Sequence, residues 1–122
     1  MENGKKNWVF CDGYLPPHGD NPEFEGHEAL MLTNLNDEKT KIELVLVFED
    51  REPEDGIFVE LDGMRTTCIR LDKPLGPQKY QLGESVQYTI WVKSELPICA
   101  CFGRLDVRQT NMAYYSVEGY SF

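Results

Sequence analysis

Residues 85–93, Ser85-Val86-Gln87-Tyr88-Thr89-Ile90-Trp91-Val92-Lys93, decide the fold. Val86, Tyr88, Ile90 and Val92 fall on one side of an extended chain and Gln87, Thr89, Trp91 and Lys93 on the other, the period of two that a half-buried strand imposes on its sequence. Thr40 to Phe48 repeats the pattern, with Ile42, Leu44, Leu46 and Phe48 opposite Lys41, Glu43, Val45 and Val47. Arg65 to Leu71 alternates in the same way, placing Thr67, Ile69 and Leu71 against Thr66, Cys68 and Arg70. Shorter strands are expected at Asn7 to Phe10, Glu28 to Thr33, Ile57 to Leu61, Ile98 to Phe102 and Tyr114 to Val117, where β-branched, aromatic or otherwise apolar residues predominate. Asn36-Asp37, Pro53-Glu54-Asp55-Gly56, Asp62-Gly63 and Leu96-Pro97 supply turn residues between them. No window combines helical periodicity with a strong capping signal. The expected fold is all-β, a single-domain antiparallel sandwich over residues 1–122.

A chain of 122 residues suits one hydrophobic core, and 41% hydrophobic against 27% charged residues is ordinary for a globular protein. No run approaches the eighteen apolar residues of a membrane-spanning helix, and Met1 to Asn7 is polar with no apolar stretch after it, so neither a span nor a secretory leader is expected. The formal net charge of −9 repels polyanions and anionic lipid, so nucleic acid is disfavoured as a partner. Cys11, Cys68, Cys99 and Cys101 are expected to be reduced thiols of a cytoplasmic protein, with Cys99 and Cys101 on one face of a strand. Free cysteines are often small buried apolar residues.

Two long stretches, Cys11 to Gly26 and Asp72 to Gly83, exceed what hairpins need. The first carries Tyr14 and His18 and leads into His27 and Glu28, a polar cluster suited either to facing a ligand or to closing an Ω-like loop in which Tyr14 and Phe24 pack on the core. His18, His27, Glu28 and a thiol are zinc-ligand types, but their spacing matches no zinc motif, so no metal and no cofactor is expected. In Arg104-Leu105-Asp106-Val107-Arg108-Gln109, alternation puts Arg104, Asp106 and Arg108 on one face if the segment is extended. Asp106 would then bridge the two guanidiniums as a structural element, or Arg104 or Arg108 would hold a carboxylate, phosphate or sugar hydroxyl. The acidic run Glu49 to Asp55 lacks the ligand spacing of a calcium loop, and no nucleophile elbow, zinc-protease helix, phosphate loop or dinucleotide fingerprint occurs.

Four segments carry a resemblance: Gly13-Tyr14-Leu15-Pro16-Pro17-His18-Gly19; Pro22-Glu23-Phe24 followed by His27-Glu28; Phe48-Glu49-Asp50-Arg51-Glu52-Pro53; and Arg104 to Gln109. In this order and spacing the chain resembles the small proteins called sensory rhodopsin transducers, most distinctively in the Arg-Leu-Asp-x-Arg-Gln stretch. The resemblance implies a jelly-roll-like sandwich of the carbohydrate-binding-module kind, a cytoplasmic homotetramer, no enzymatic activity, and a membrane photoreceptor with a retinal chromophore as partner. The chain departs from the family pattern at Cys68 and Cys99-Ala100-Cys101, where His and Val-Gln types are usual, which puts ligand chemistry there in doubt. Its C-terminal Tyr114, Tyr115 and Tyr120 suit subunit contact.

The function expected is therefore a non-catalytic signalling or regulatory protein that binds a protein partner or a small polar, sugar-like ligand through Tyr14, His27, Glu28, Arg104 and Arg108, with Asp106 structural. One alternative is a sugar-metabolism enzyme using Asp50, Glu28 or His27 as acid and base. Another is a DNA-binding regulator that gathers Arg65, Arg70, Arg104 and Arg108 on one face.

Overall fold

The computed structural model describes residues 3–21, 23–108 and 113–122. Pro22 and Gln109, which belong to segments quoted above, lie outside the described residues. Eight strands follow one another: β1 (Lys5–Tyr14), β2 (His27–Asn34), β3 (Thr40–Phe48), β4 (Glu54–Leu61), β5 (Arg65–Arg70), β6 (Gln87–Asp106), β7 (Ala113–Val117) and β8 (Tyr120–Ser121). All pairings between them are antiparallel. One layer runs β4-β3-β6-β1-β8; in the other, β2 pairs with β5 and β6, and β7 with β6. The all-β sandwich expected from the alternation is the architecture observed.

β6 ties the layers together. Its first part pairs with β3 as far as Ser94 and with β1 as far as Ile98, and its second pairs with β2 from Cys99 onward. The expected turn at Leu96-Pro97 is therefore absent, and two expected strands are one strand of 20 residues. Pro97 is tolerated because it falls where the strand passes between layers and has no ladder partner for the N–H it lacks. Side chains stabilise this crossing: the Leu96 N–H donates to Thr40 Oγ1, and Asn36 Nδ2 donates to the Pro97 carbonyl.

Two further boundaries differ from expectation. β4 begins at Glu54, inside the expected turn, and Gly56 at φ 70° lies in the irregular stretch of its pairing with β3. β1 continues to Tyr14 across a bulge between Phe10 and Gly13 that holds Asp12 at φ 62°.

Inward rows from both layers form the core, among them Phe10, Leu30, Leu32, Ile42, Leu44, Ile90, Val92 and Phe102, all at most 2% exposed. Each such side chain contributes roughly 1.5–3 kcal/mol by leaving water. Phe10 stacks on Phe102, with ring centroids 5.7 Å apart, and Tyr88 meets the same ring edge-on. The 72–83 stretch is fastened rather than free: Leu75 and Tyr80 bridge, and Leu75 and Leu82 enter the core. Cys11, Cys68 and Cys101 are exposed and Cys99 half-buried, so the thiols are not the buried apolar residues that composition suggests. They stand on outward rows, opposite core residues such as Ile98 and Phe102.

Candidate functional site

Glu28, on the inward row of β2, is fully buried and sits directly opposite Arg104 of β6, which in turn sits opposite Tyr115 of β7. The three residues make one cross-strand row. Arg104 Nε donates to Glu28 Oε2 at 2.8 Å, and its Nη1 donates to the Tyr115 hydroxyl at 2.8 Å. Its remaining arm donates to the Asp12 carbonyl, and its charge lies 5.2 Å from the centre of the Tyr115 ring.

β1 and the start of β6 complete the shell around Glu28. The bulge at Asp12 aims the Tyr14 N–H at both carboxylate oxygens, 3.1 and 3.0 Å away, and the Tyr88 hydroxyl donates to Oε1 at 2.6 Å. Gly13 is required beside them, because a Cβ there would lie 2.5 Å from the Tyr88 ring. Burial, and next the charge of Glu28, push the ionisation of the Tyr88 phenol well up. Burial opposes the charge on Arg104, but hydrogen bonds to Glu28 and Tyr115 outweigh it and raise its pKa. No buried side-chain nitrogen or oxygen is left without a partner among the described residues. A buried charge pair is costly unless its polar atoms are partnered, and here each guanidinium nitrogen and each carboxylate oxygen has at least one partner.

Asp106 pairs with Arg108 instead of bridging both arginines. Alternation does place Arg104 and Asp106 on one face, but β6 ends at Asp106, and Arg108 folds back so that its Nε donates to both Asp106 oxygens at 3.0 Å. The hydrogen bond from Arg108 chiefly holds Asp106 below the usual carboxylate range. The Arg108 side chain is 50% exposed and lies within electrostatic reach of the Tyr14 and Tyr115 hydroxyls.

His27 does not join this group. Adjacent strand residues face opposite ways, so His27 lies on the outward side while Glu28 points in; its Nδ1 bonds to the Glu25 carbonyl. His18 turns instead to Asp72, with Nε2 3.0 Å from Oδ2. Arg70 Nε donates to the same carboxylate, whose side chain is 1% exposed. Burial raises the Asp72 pKa, but hydrogen bonds from Arg70 and His18 and the Arg70 charge more than reverse this. With Gly26 N–H donating to the His18 carbonyl, the first loop is closed and tied to the end of β5, the Ω-like alternative raised by the sequence, although Phe24 is 45% exposed instead of packed. Among the described residues no group of three or more His, Cys, Asp or Glu converges as a metal site would.

Sequence reasoning missed Tyr88, Tyr115, Asp12 and Asp72. Tyr88 was the findable one, because a hydroxyl on an otherwise apolar inward row needs a buried partner. Near this end of the sandwich, Glu49, Asp50, Arg51, Ser85, Val86 and Gln87 line a depression of about 360 Å³. Gln87 Nε2 donates to Asp12 Oδ1, linking that depression to the bulge.

Comparison with curated proteins gives no match. Among solved structures, the chain is similar to Thermotoga maritima 1070, with 32% identity over 98% of this chain and 97% of that one and a TM-score of 0.86. It shares its fold with the Anabaena sensory rhodopsin transducer, with 24% identity over 84% of this chain and 98% of that one and a TM-score of 0.73. The family described as Anabaena sensory rhodopsin transducer matches residues 3–121, so the chain belongs to that family.

Proposed function

We propose that the protein is a non-catalytic signalling component that binds its partner or a small polar ligand at the rim formed by Tyr14, Arg108 and Tyr115. The observation carrying this is the division of labour between the two arginines. Arg104 and Glu28 are consumed by a closed internal network, whereas Arg108 is half exposed and its Nη1 has no partner among the described residues, which suits an anionic or hydroxylated group. Glu28 buttresses the rim from behind, and Asp106 orients Arg108. His27, facing outward, stands apart from it.

Family membership supports a signalling role, and a membrane photoreceptor is the partner to test first, from a cytoplasmic position and with the protein assembled as a homotetramer. Tyr114 and Tyr120, 64% and 68% exposed, suit subunit contact. An acid–base pair is poorly served, because the oxygens of Glu28 are occupied and Asp50 is exposed and tied to Arg51. DNA binding is poorly served as well: Arg104 is buried, Arg70 is engaged by Asp72, and a net charge of −9 repels a polyanion.

Thermal-shift screening against sugars, sugar acids and phosphates, and pull-down with a retinal photoreceptor in detergent, test the proposal. Arg108→Ala is expected to lower the melting temperature slightly, because Asp106 loses its partner, and to abolish the response to whichever binder is found. A binder whose affinity is the same for wild type and Arg108→Ala would refute the assignment of the rim.

A further inference from the structure

The outward face of the second layer gathers sulfur. Met31 of β2 lies directly opposite Cys68 of β5 on one side and Cys101 of β6 on the other, and Cys99, two residues before Cys101, lies opposite Thr33 in the next row. Cys68 and Cys101 are exposed, while Cys99 and Met31 are half-buried. All four sulfurs occupy outward positions, since the alternating residues Leu30, Leu32, Ile98 and Phe102 are core. Chain positions 31, 68 and 99–101 meet only through strand register.

Backbone geometry rules out a disulfide between Cys68 and Cys101. A strand residue forms the narrow antiparallel pair with one neighbour and the wide pair with the other, so Cα separations of about 4.5 and 5.5 Å add to about 10 Å, beyond the limit of about 7 Å for bridging. Cys99 and Cys101 are about 6.8 Å apart along β6 with their Cβ atoms pointing the same way. The Met31 side chain, with three rotatable torsions, lies straight across from Cys101 and diagonally from Cys99, so its thioether can reach the space between the two thiols.

We propose that Cys99, Cys101 and Met31 form a binding site for a soft monovalent metal ion, Cu(I), with two thiolates and one thioether as ligands. Zinc requires four nitrogen, sulfur or oxygen ligands in a tetrahedron, which this face does not offer. Cu(I) accepts two or three soft sulfurs, the donor set present here. Binding forms two Cu–thiolate bonds and one Cu–thioether bond and releases two thiol protons to solvent, and the copper keeps its oxidation state. Cys68, on the far side of Met31, stays outside the set, and Cys11 of β1 belongs to the other layer.

The full-length protein, reduced and under nitrogen, is titrated with Cu(I) in competition with bicinchoninate, and copper per chain is counted after gel filtration. One equivalent is expected to leave the chelator. Cys99→Ser and Cys101→Ser should each weaken binding by at least about 100-fold and Met31→Leu by about 10-fold, with unchanged melting curves because all three residues lie on the outer face. Cys11→Ser and Cys68→Ser should bind as wild type does. The proposal is overturned if no copper leaves the chelator, if Cys11→Ser or Cys68→Ser weakens binding as much as Cys101→Ser, or if Met31→Leu has no effect.

Discussion

Replacing Glu28 by Gln keeps the shape of the side chain and removes its charge from the centre of the sandwich. Glu28 is fully buried and Arg104 7% exposed, so the guanidinium would be left in a low-dielectric setting without its counter-charge. The new amide nitrogen would also face the Tyr14 N–H whichever way it is turned, and the Arg104 Nε–H as well if it takes the place of Oε2. Breaking a buried pair from one side costs about 3–5 kcal/mol. For a chain of this size that corresponds to a fall of roughly 10–25 °C in Tm, and it is a large share of the roughly 5–15 kcal/mol that holds a domain folded.

Urea unfolding followed by circular dichroism, at several protein concentrations so that assembly is separated from folding, measures the loss. Glu28→Leu combined with Arg104→Met removes both charges and should recover only part of it, because no ion is stranded but the Tyr14 N–H, the Tyr88 hydroxyl and the Asp12 carbonyl lose their partners. That double variant keeps the test informative if Glu28→Gln does not fold. A loss below about 1 kcal/mol for Glu28→Gln, comparable to an ordinary hydrogen bond, would show that the Glu28–Arg104 pair and its bonds to Tyr14, Tyr88 and Asp12 do not hold the layers together.

Acid should weaken the fold through Asp72 and Asp106, whose folded pKa values are both depressed. Their stabilisation is complete above the unfolded carboxylate value of about 3.9 and is lost as pH falls through the lower folded values. Asp72→Asn should therefore flatten the decline of Tm between about pH 4 and pH 2, and an unchanged slope would exclude Asp72 from the acid transition. At the alkaline end, burial keeps Tyr88 protonated, so Tyr88→Phe should leave the tyrosinate absorbance of the native protein at about pH 11 as in wild type. Loss of one tyrosinate equivalent would place Tyr88 in water. Gly13→Ala should destabilise by forcing a Cβ into the Tyr88 ring, and a melting temperature equal to wild type would show that the ring moves aside freely. A homotetramer should appear in light scattering at micromolar concentration, and a monomer there would remove the assembly from the proposal.

Strands were legible wherever one face is wet and the other dry. Thr40 to Phe48 reads off the sequence with both ends correct because, after Thr40, the inward row Ile42, Leu44, Leu46 and Phe48 is apolar. The joining of Ser85–Lys93 to Ile98–Phe102 was not legible, since Pro97 signals a turn locally and is excused only by the crossing between layers. The anchor of the first loop was hidden by distance: Asp72, which holds His18, is 54 residues away in sequence.

The arginine stripe shows which part of a site periodicity can supply. Alternation correctly puts Arg104 and Asp106 on one face, and a chain read alone makes them natural partners. Along a strand, however, i and i+2 are about 6.8 Å apart, whereas a directly opposed residue on the next strand is about 4.5–5.5 Å away. Register sets Glu28 opposite Arg104, and the shorter separation wins, leaving Asp106 to the arginine beyond the strand end. Register lies in pairings between segments separated by 76 residues, so a period of two names the face and leaves the partner undetermined. Both guanidiniums were expected to be open to a ligand; Arg104 is buried, and Arg108 is the one that reaches solvent.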